Sequence, residues 1–112
     1  MNVRNALSYI PLSSINSATF TGAYQIVNNN VSAPCFAFKI MNGSSVDITL
    51  SLDGVTDHDF IPANTGQVYD LQTNKQPNGD TCLLPQGSKI FVKGSVSTGL
   101  VYFVGLTQIK GI

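Results

Sequence analysis

The sequence predicts an all-β domain, an antiparallel β-sandwich of jelly-roll-like or immunoglobulin-like type with about eight short strands. Three observations predict it. Val46, Ile48, Leu50 and Leu52 alternate with Asp47, Thr49, Ser51 and Asp53, the period of a strand buried on one face. That run passes straight into Asp53-Gly54, a dipeptide that tolerates the positive φ angles of a tight hairpin turn, and a second extended run with Phe60 and Ile61 follows. The rest of the chain divides into short apolar runs separated by Gly, Pro and Asn, at about the 8–12-residue spacing of sandwiches and barrels. No stretch demands a helix.

Asn2 to Ser17 holds Ala6, Leu7, Tyr9, Ile10, Leu12 and Ile15 without a sustained period. That is too apolar for a tail left in solvent, so residues 1–17 are expected to form either an edge segment or an arm docked on a neighbour, with 18–112 as a single sandwich domain. Thr19 to Val27 reads as a strand with Gly22 at a bulge. Asn28-Asn29-Asn30 and Ser32-Ala33-Pro34 form a loop, since Asn favours turns and proline holds its predecessor extended. Cys35 to Met41, apolar at nearly every position, reads as a strand covered on both faces.

Beyond Asp53-Gly54, His58 to Ile61 is a short strand ended by Pro62, and Gln67 to Thr73 is a further one. Asn74 to Asp80 is the longest polar gap and the expected partner-facing loop. Thr81 to Leu84 and Lys89 to Lys93 read as brief strands, and Leu100 to Leu106, strongly apolar, as the central last one. No internal repeat brings one segment onto another.

At 112 residues the chain fits one compact domain. Its six basic and six acidic residues balance to zero, and every acid is Asp. A nucleic-acid binder needs a basic face to release counterions from phosphate, so nucleic acid is not expected as a partner. No run approaches the roughly 20 apolar residues that span a bilayer, so no membrane is expected either. Met1 to Ser14 lacks the continuous apolar block of a secretory signal, and synthesis in the cytoplasm is the expectation. Cys35 and Cys82 are then expected as reduced, buried thiols, with a disulfide open to them only if their strands adjoin. Low charge weakens self-repulsion, which suits a subunit packed against others.

No residue pattern announces chemistry. Asp53, Asp57, His58 and Asp59 are the one ionisable cluster. Carboxylates bind hard cations, but Asp at a hairpin tip is accounted for by turn chemistry and the spacing fits no calcium loop, so no metal is assigned. His58 is the single histidine, no Gly-x-Ser-x-Gly elbow occurs, and neither cysteine lies in a motif that would lower its pKa. The two-carboxylate pair of glycosidases would have to be built from Asp alone. Gly94 to Gly99 lacks the Lys-Ser/Thr ending of a phosphate loop. The expectation is therefore no enzyme and no cofactor. A carbohydrate-binding module would need exposed rings; Trp is absent, and Tyr9, Tyr69 and Tyr102 are the candidates.

The blocks Ile48 to Ala63, Tyr69 to Asn74, Leu84 to Gly94 and Thr98 to Phe103, with Phe20 to Gln25 upstream, together resemble a recurrent type of small β-sandwich virion protein encoded by tailed bacteriophages. The shared motifs are turn and strand residues, so no functional residue carries over. The resemblance implies a non-enzymatic particle subunit: first a capsid decoration or auxiliary protein, second a ring or adaptor at the portal and tail. Its partners would be the major capsid protein or portal and tail proteins, with the chain as a homo-oligomer in a symmetric assembly. The contact residues expected from composition and termini are Leu7, Tyr9, Ile10 and Leu12 of the arm, the Asn74 to Asp80 loop with Pro77 and Asn78, and Ile109 and Ile112. The expectation of another class is a free-standing module for carbohydrate or a host surface.

Overall fold

The computed structural model describes residues 5–71 and 83–110, with backbone alone for 5, 6 and 108–110. Its organisation grows outward from one hairpin. Strands β5 (Ile48–Ser51) and β6 (Asp59–Ile61) pair first. Outside them β4 (Ala37–Asn42) pairs with β7 (Thr65–Asp70), and outside those β3 (Gln25–Asn28) pairs with β8 (Ile90–Lys93). Outermost, β1 (Asn5–Tyr9) and β2 (Ser13–Asn16) both pair with β9 (Leu100–Lys110). Two further pairings, β4 with β9 and β5 with β8, roll this nested hairpin into two antiparallel sheets, ordered β1/β2–β9–β4–β7 and β3–β8–β5–β6. Apart from β1–β2 and β5–β6, every connection passes from one sheet to the other. This is jelly-roll order rather than that of an immunoglobulin sandwich.

Side-chain parity accounts for the core. Phe38 and Ile40 of β4 and Val101 and Phe103 of β9 point in from one sheet. Ile48, Leu50, Ile61, Ile90 and Val92 meet them from the other, each no more than 5 % exposed. Burying a side chain of this kind contributes roughly 1.5–3 kcal/mol, so these nine residues carry much of the fold's stability. Phe38 stacks on Tyr69 with ring centres 4.7 Å apart and meets Phe103 at 5.8 Å, an aromatic line running across β7, β4 and β9.

The N-terminal segment is one interrupted edge strand. Its register slips by one residue between Tyr9↔Leu106 and Ser13↔Phe103, with Pro11, which cannot donate to a ladder, inside the break. Ile10 keeps its backbone bond to Gly105 O at 3.1 Å and turns its side chain into the core. A Cβ on Gly105 would lie 2.7 Å from that side chain, so glycine there is what lets Ile10 in.

Two local expectations give way to the structure. The run from Thr19 is not extended at its start: Asn16 caps a single 3-10 turn, Ser17–Thr19, by accepting from the Ala18 N–H at 2.9 Å, and strand geometry begins only at Gln25. Of the expected strand Thr81 to Leu84, the described residues hold only an isolated bridge, Leu84 with Cys35; Thr81 and Cys82 lie outside the described residues. The β5–β6 connection is a loop over residues 52–58 rather than a two-residue turn, because the last paired residues are Leu50 and Asp59. Cys35 is a buried free thiol whose pKa burial pushes up.

One buried amide ties the hairpin layers together. Asn42, 1 % exposed, donates from Nδ2 to the carbonyls of Val46 (2.9 Å), Ile61 (3.1 Å) and Pro62 (3.2 Å). Its Oδ1 accepts from the Ser44 N–H (3.0 Å) and Ser44 Oγ (2.5 Å). Replacing it takes a donor from Ile61 O and the acceptor from the Ser44 N–H in the interior, while Val46 O and Pro62 O keep bonds from Ser44 Oγ and Thr65 Oγ1. Asn42→Ala is therefore expected to lose about 2–3 kcal/mol of unfolding free energy, measured by urea denaturation, with an unchanged m-value.

Candidate interaction surface

The outward face of the β1/β2–β9–β4–β7 sheet follows from the same parity. With Phe38, Ile40 and Asn42 inward, Ala37, Lys39 and Met41 face out of β4. The register places Leu106, Val104 and Tyr102 beside them on β9, and Asp70, Val68 and Gly66 on β7. Tyr9 stands beside Leu106 and Leu7 beside Gln108. Leu7, Tyr9, Leu12 and Val68 are 59–65 % exposed and Met41 40 %. Among residues whose side chains are described, Lys39 and Asp70 are the charged groups of this face. Exposed apolar groups gathered on one sheet face are the kind of patch that contact surfaces use; Ile26, Val55, Phe60 and Val96 are exposed elsewhere.

The structure treats the contact residues expected from sequence unequally. Leu7, Tyr9 and Leu12 are exposed, the first two on this face and Leu12 at the strand break. Ile10 is buried in the chain's own core at 6 % exposure. Ile109 pairs with Ala6 through β9, its side chain not described. Asn74, Pro77, Asn78 and Ile112 lie outside the described residues. Met41, Val68 and Val104 are additions to the residues expected from sequence, and Tyr102, expected only as a ring for sugar, joins them. Their signal was there: β4, β7 and β9 carry apolar groups at the alternate positions too.

The ionisable cluster forms the tip loop. Asp53 Oδ1 accepts from the N–H groups of Val55 (2.8 Å) and Thr56 (2.7 Å) and from Ser51 Oγ (2.8 Å). Ser51 Oγ in turn accepts from the Asp53 and Gly54 N–H groups. His58 Nδ1 accepts from the Leu52 N–H at 3.0 Å, which leaves the proton of a neutral ring on Nε2, 4.0 Å from Asp53 Oδ2. His, Asp and Ser are thus neighbours wired for turn formation: Ser51 donates to the carboxylate and no ring nitrogen is free to take its proton. Gly54, at φ 79°, brings the loop down on the Phe91 ring, which a Cβ would approach to 3.1 Å.

The other two carboxylates of the cluster point elsewhere. Asp57 accepts from Tyr24 OH and from Lys93 Nζ at 2.9 Å, with Nζ 4.7 Å above the centre of the Tyr24 ring. Asp59 accepts from Tyr69 OH, joining β6 to β7 across the open side of the sandwich. Among the described residues no three metal-ligating side chains converge. On that same side an apolar pocket of about 310 Å³ lies between the sheets, lined by Phe38, Leu50, Leu52, Tyr69, Leu71 and Leu84 among others. His58 and Asp59 also line it, with Asp59 Oδ2 taken by Tyr69 OH and His58 Nδ1 by the Leu52 N–H.

No family model matches the sequence, and no curated protein matches it. Two solved structures are similar in backbone arrangement. A Bacillus endospore appendage protein, from a family of disulfide-linked pili, has a TM-score of 0.49 at 10 % identity, over 98 % of this chain and 90 % of that one. The Dit protein (gp 19.1) of phage SPP1, from a hub adsorption apparatus of phages infecting Gram-positive bacteria, has a TM-score of 0.38 at 18 % identity. That match covers 92 % of this chain and 49 % of the Dit chain, so this chain spans about half its length. At these values the likeness assigns no activity.

The tip loop makes stability pH-dependent with a definite sign. Bonds from the Thr56 and Val55 N–H groups, then from Ser51, hold the Asp53 carboxyl well below the usual carboxylate range, and Tyr24 followed by Lys93 lowers that of Asp57. A depressed folded-state pKa stabilises fully above the ordinary carboxylate range, and that contribution is lost as pH falls through the folded value. Urea midpoints are therefore expected to drop between pH 5 and pH 2. Asp53→Ala should lower the midpoint at pH 7 and flatten the acid limb. At the alkaline end, desolvation first and Asp57 second push the Tyr24 phenol up to about 12. Its contribution is fully present below the ordinary phenol pKa and is lost as pH rises from there through the raised folded value.

Proposed function

We propose that this chain is a non-enzymatic structural subunit of a tailed-phage virion, which works by laying the outward face of its β1/β2–β9–β4–β7 sheet on other virion proteins. The observation that carries the reading is the exposure of Leu7, Tyr9, Leu12, Met41 and Val68 on and around one sheet face with a single lysine among them. The fold does not use these side chains, since its core is complete on the other side of the sheet. A face of this composition matches the dry centre of a protein interface, where aromatic and aliphatic groups are enriched and charges depleted.

The head surface is the first placement, as a decoration or auxiliary protein on the major capsid protein. A ring or adaptor at the portal and tail is the alternative. Tyr9 and Tyr102 share this face, but Val68, Val104 and Leu106 are interleaved with them where a sugar platform needs hydrogen-bonding groups. Protein is therefore the better partner. The wiring of His58, Asp53 and Ser51 for turn formation supports the non-enzymatic part of the reading.

Substituting Tyr9→Glu together with Leu12→Glu, on exposed positions, is expected to leave the thermal midpoint within a few degrees. It should abolish incorporation of the chain into particles, read by blotting purified virions. Ile26→Glu, exposed on the opposite sheet, serves as the control and should incorporate normally. Full incorporation of the double variant would overturn the reading.

A further inference from the structure

The four sheet edges of this molecule are not alike. Strand β6 is only three residues long and runs into Pro62. Strand β3 carries a register shift between Ile26 and Asn28. The β1/β2 edge is broken at Pro11. Shortness, bulges and proline are the devices that keep edges from pairing with other chains. Strand β7 has none of them: Thr65–Asp70 is six residues, pairs in unbroken register with β4, and contains no proline, lysine or arginine.

Its open hydrogen-bonding groups can be assigned. The Leu71 N–H reaches Phe36 O at 3.0 Å, in the same register as Ala37↔Asp70. Odd-numbered residues of β7 therefore bond to β4, and the N–H and C=O groups of Gly66 and Val68 point away from the sheet. Among the described residues nothing meets them.

We infer that β7 pairs with β7 of a second copy of this chain, antiparallel about a two-fold axis at Gln67. The register meets two conditions and, of those that do, is the one that sets Gly66 against Val68 and keeps Asp70 out of the new ladder. Outward faces must stay on the same side of the joined sheet, so residues of like parity must oppose. The open groups must meet, and with Gln67 opposite its own counterpart, Gly66 faces the partner's Val68 and Val68 the partner's Gly66. This pairing uses the backbone groups of Gly66 and Val68 and stops at Asn64, whose φ of 58° ends the extended run. Between Thr65 and Tyr69 no side chain is charged, so self-pairing sets no like charges against each other. Gly66 also has no side chain of its own, and the Met41 sulfur lies where one would begin, 2.4 Å from an ideal Cβ. The partner's Val68 would therefore land beside Met41 and extend the apolar face from one copy to the next. The pairing deepens the docking-face reading and rests on it for its purpose, though not for its geometry.

Sedimentation velocity of the full chain over a concentration series tests it. The wild type is expected to self-associate reversibly. Val68→Pro removes an N–H that β4 does not use, and Val68→Lys adds a gatekeeping charge. Each should weaken association at least tenfold with the thermal midpoint nearly unchanged. In the paired register Gln67 Cα atoms stand about 4.5 Å apart as a non-hydrogen-bonded pair, within disulfide reach. Gln67→Cys should therefore give a reducible dimer on mild oxidation that neither Thr65→Cys nor the unaltered chain gives. A wild type that stays monomeric at the highest concentration, or a dimer indifferent to both Val68 variants, would overturn the pairing. If Tyr9→Glu/Leu12→Glu still blocked incorporation in that case, the docking face would stand without it.

Discussion

The whole architecture depends on one loop closing correctly. Strand pairs β5–β6, β4–β7, β3–β8 and β1/β2–β9 are nested about residues 52–58, so the register of each outer pair is inherited from the one inside it. A one-residue error at the tip would turn every inward side chain of the next strand to solvent. The chain guards against this with local bonds: Asp53 gathers the Val55 and Thr56 N–H groups, and His58 receives the Leu52 N–H and sends its own to Leu50 O at 2.9 Å. The most polar cluster in the sequence is thus spent on geometry, which explains why residues that look like chemistry are wired to backbone. Asn42 repeats the device one layer out, where its amide spans β4, the start of β5 and the end of β6.

What the sequence made legible follows from which signals are local. Alternation in Val46–Asp53 and the Asp53-Gly54 dipeptide lie within a few residues of one another, and there the hairpin was readable. The buried pair Ile90 and Val92 against Phe91 and Lys93 was readable for the same reason. The N-terminal edge was not. Its period changes phase at Pro11, and its partner β9 lies about a hundred residues away in sequence, so neither alternation nor spacing could show where Ile10 points. The 3-10 turn at Ser17–Thr19 was hidden because Asn16 is a good cap and also an ordinary loop residue.

The exposed apolar face was half legible for a related reason. Apolar residues at Leu7, Tyr9 and Leu12 stood out because they sat in a segment with no evident core role. Met41, Val68 and Val104 did not stand out, because they occupy strands where apolar residues are expected anyway. A near-continuous apolar strand is compatible with burial on both faces or with burial on one and contact through the other, and composition alone cannot separate these. The register separates them: Lys39, in the middle of that face, stays half-buried between Val68 and Val104, and no second layer within the described chain covers its neighbours.

Face and edge belong to the same physical problem. A small sheet face cannot hold a partner tightly by area alone, since binding must offset the lost freedom of the chain. Antiparallel pairing through the open edge of β7 would make the outward faces of two copies coplanar and would bring the partner's Val68 beside Met41, turning two small apolar faces into one continuous one. Two copies so joined would dock as one unit, and the second copy's contact would be made at high effective concentration. Sparse charge assists both steps: like-charge repulsion would oppose the lateral pairing, and desolvating ions would weaken the docking. Sparse charge on this side of the molecule would thus favour the edge pairing and the docking of the joined face together.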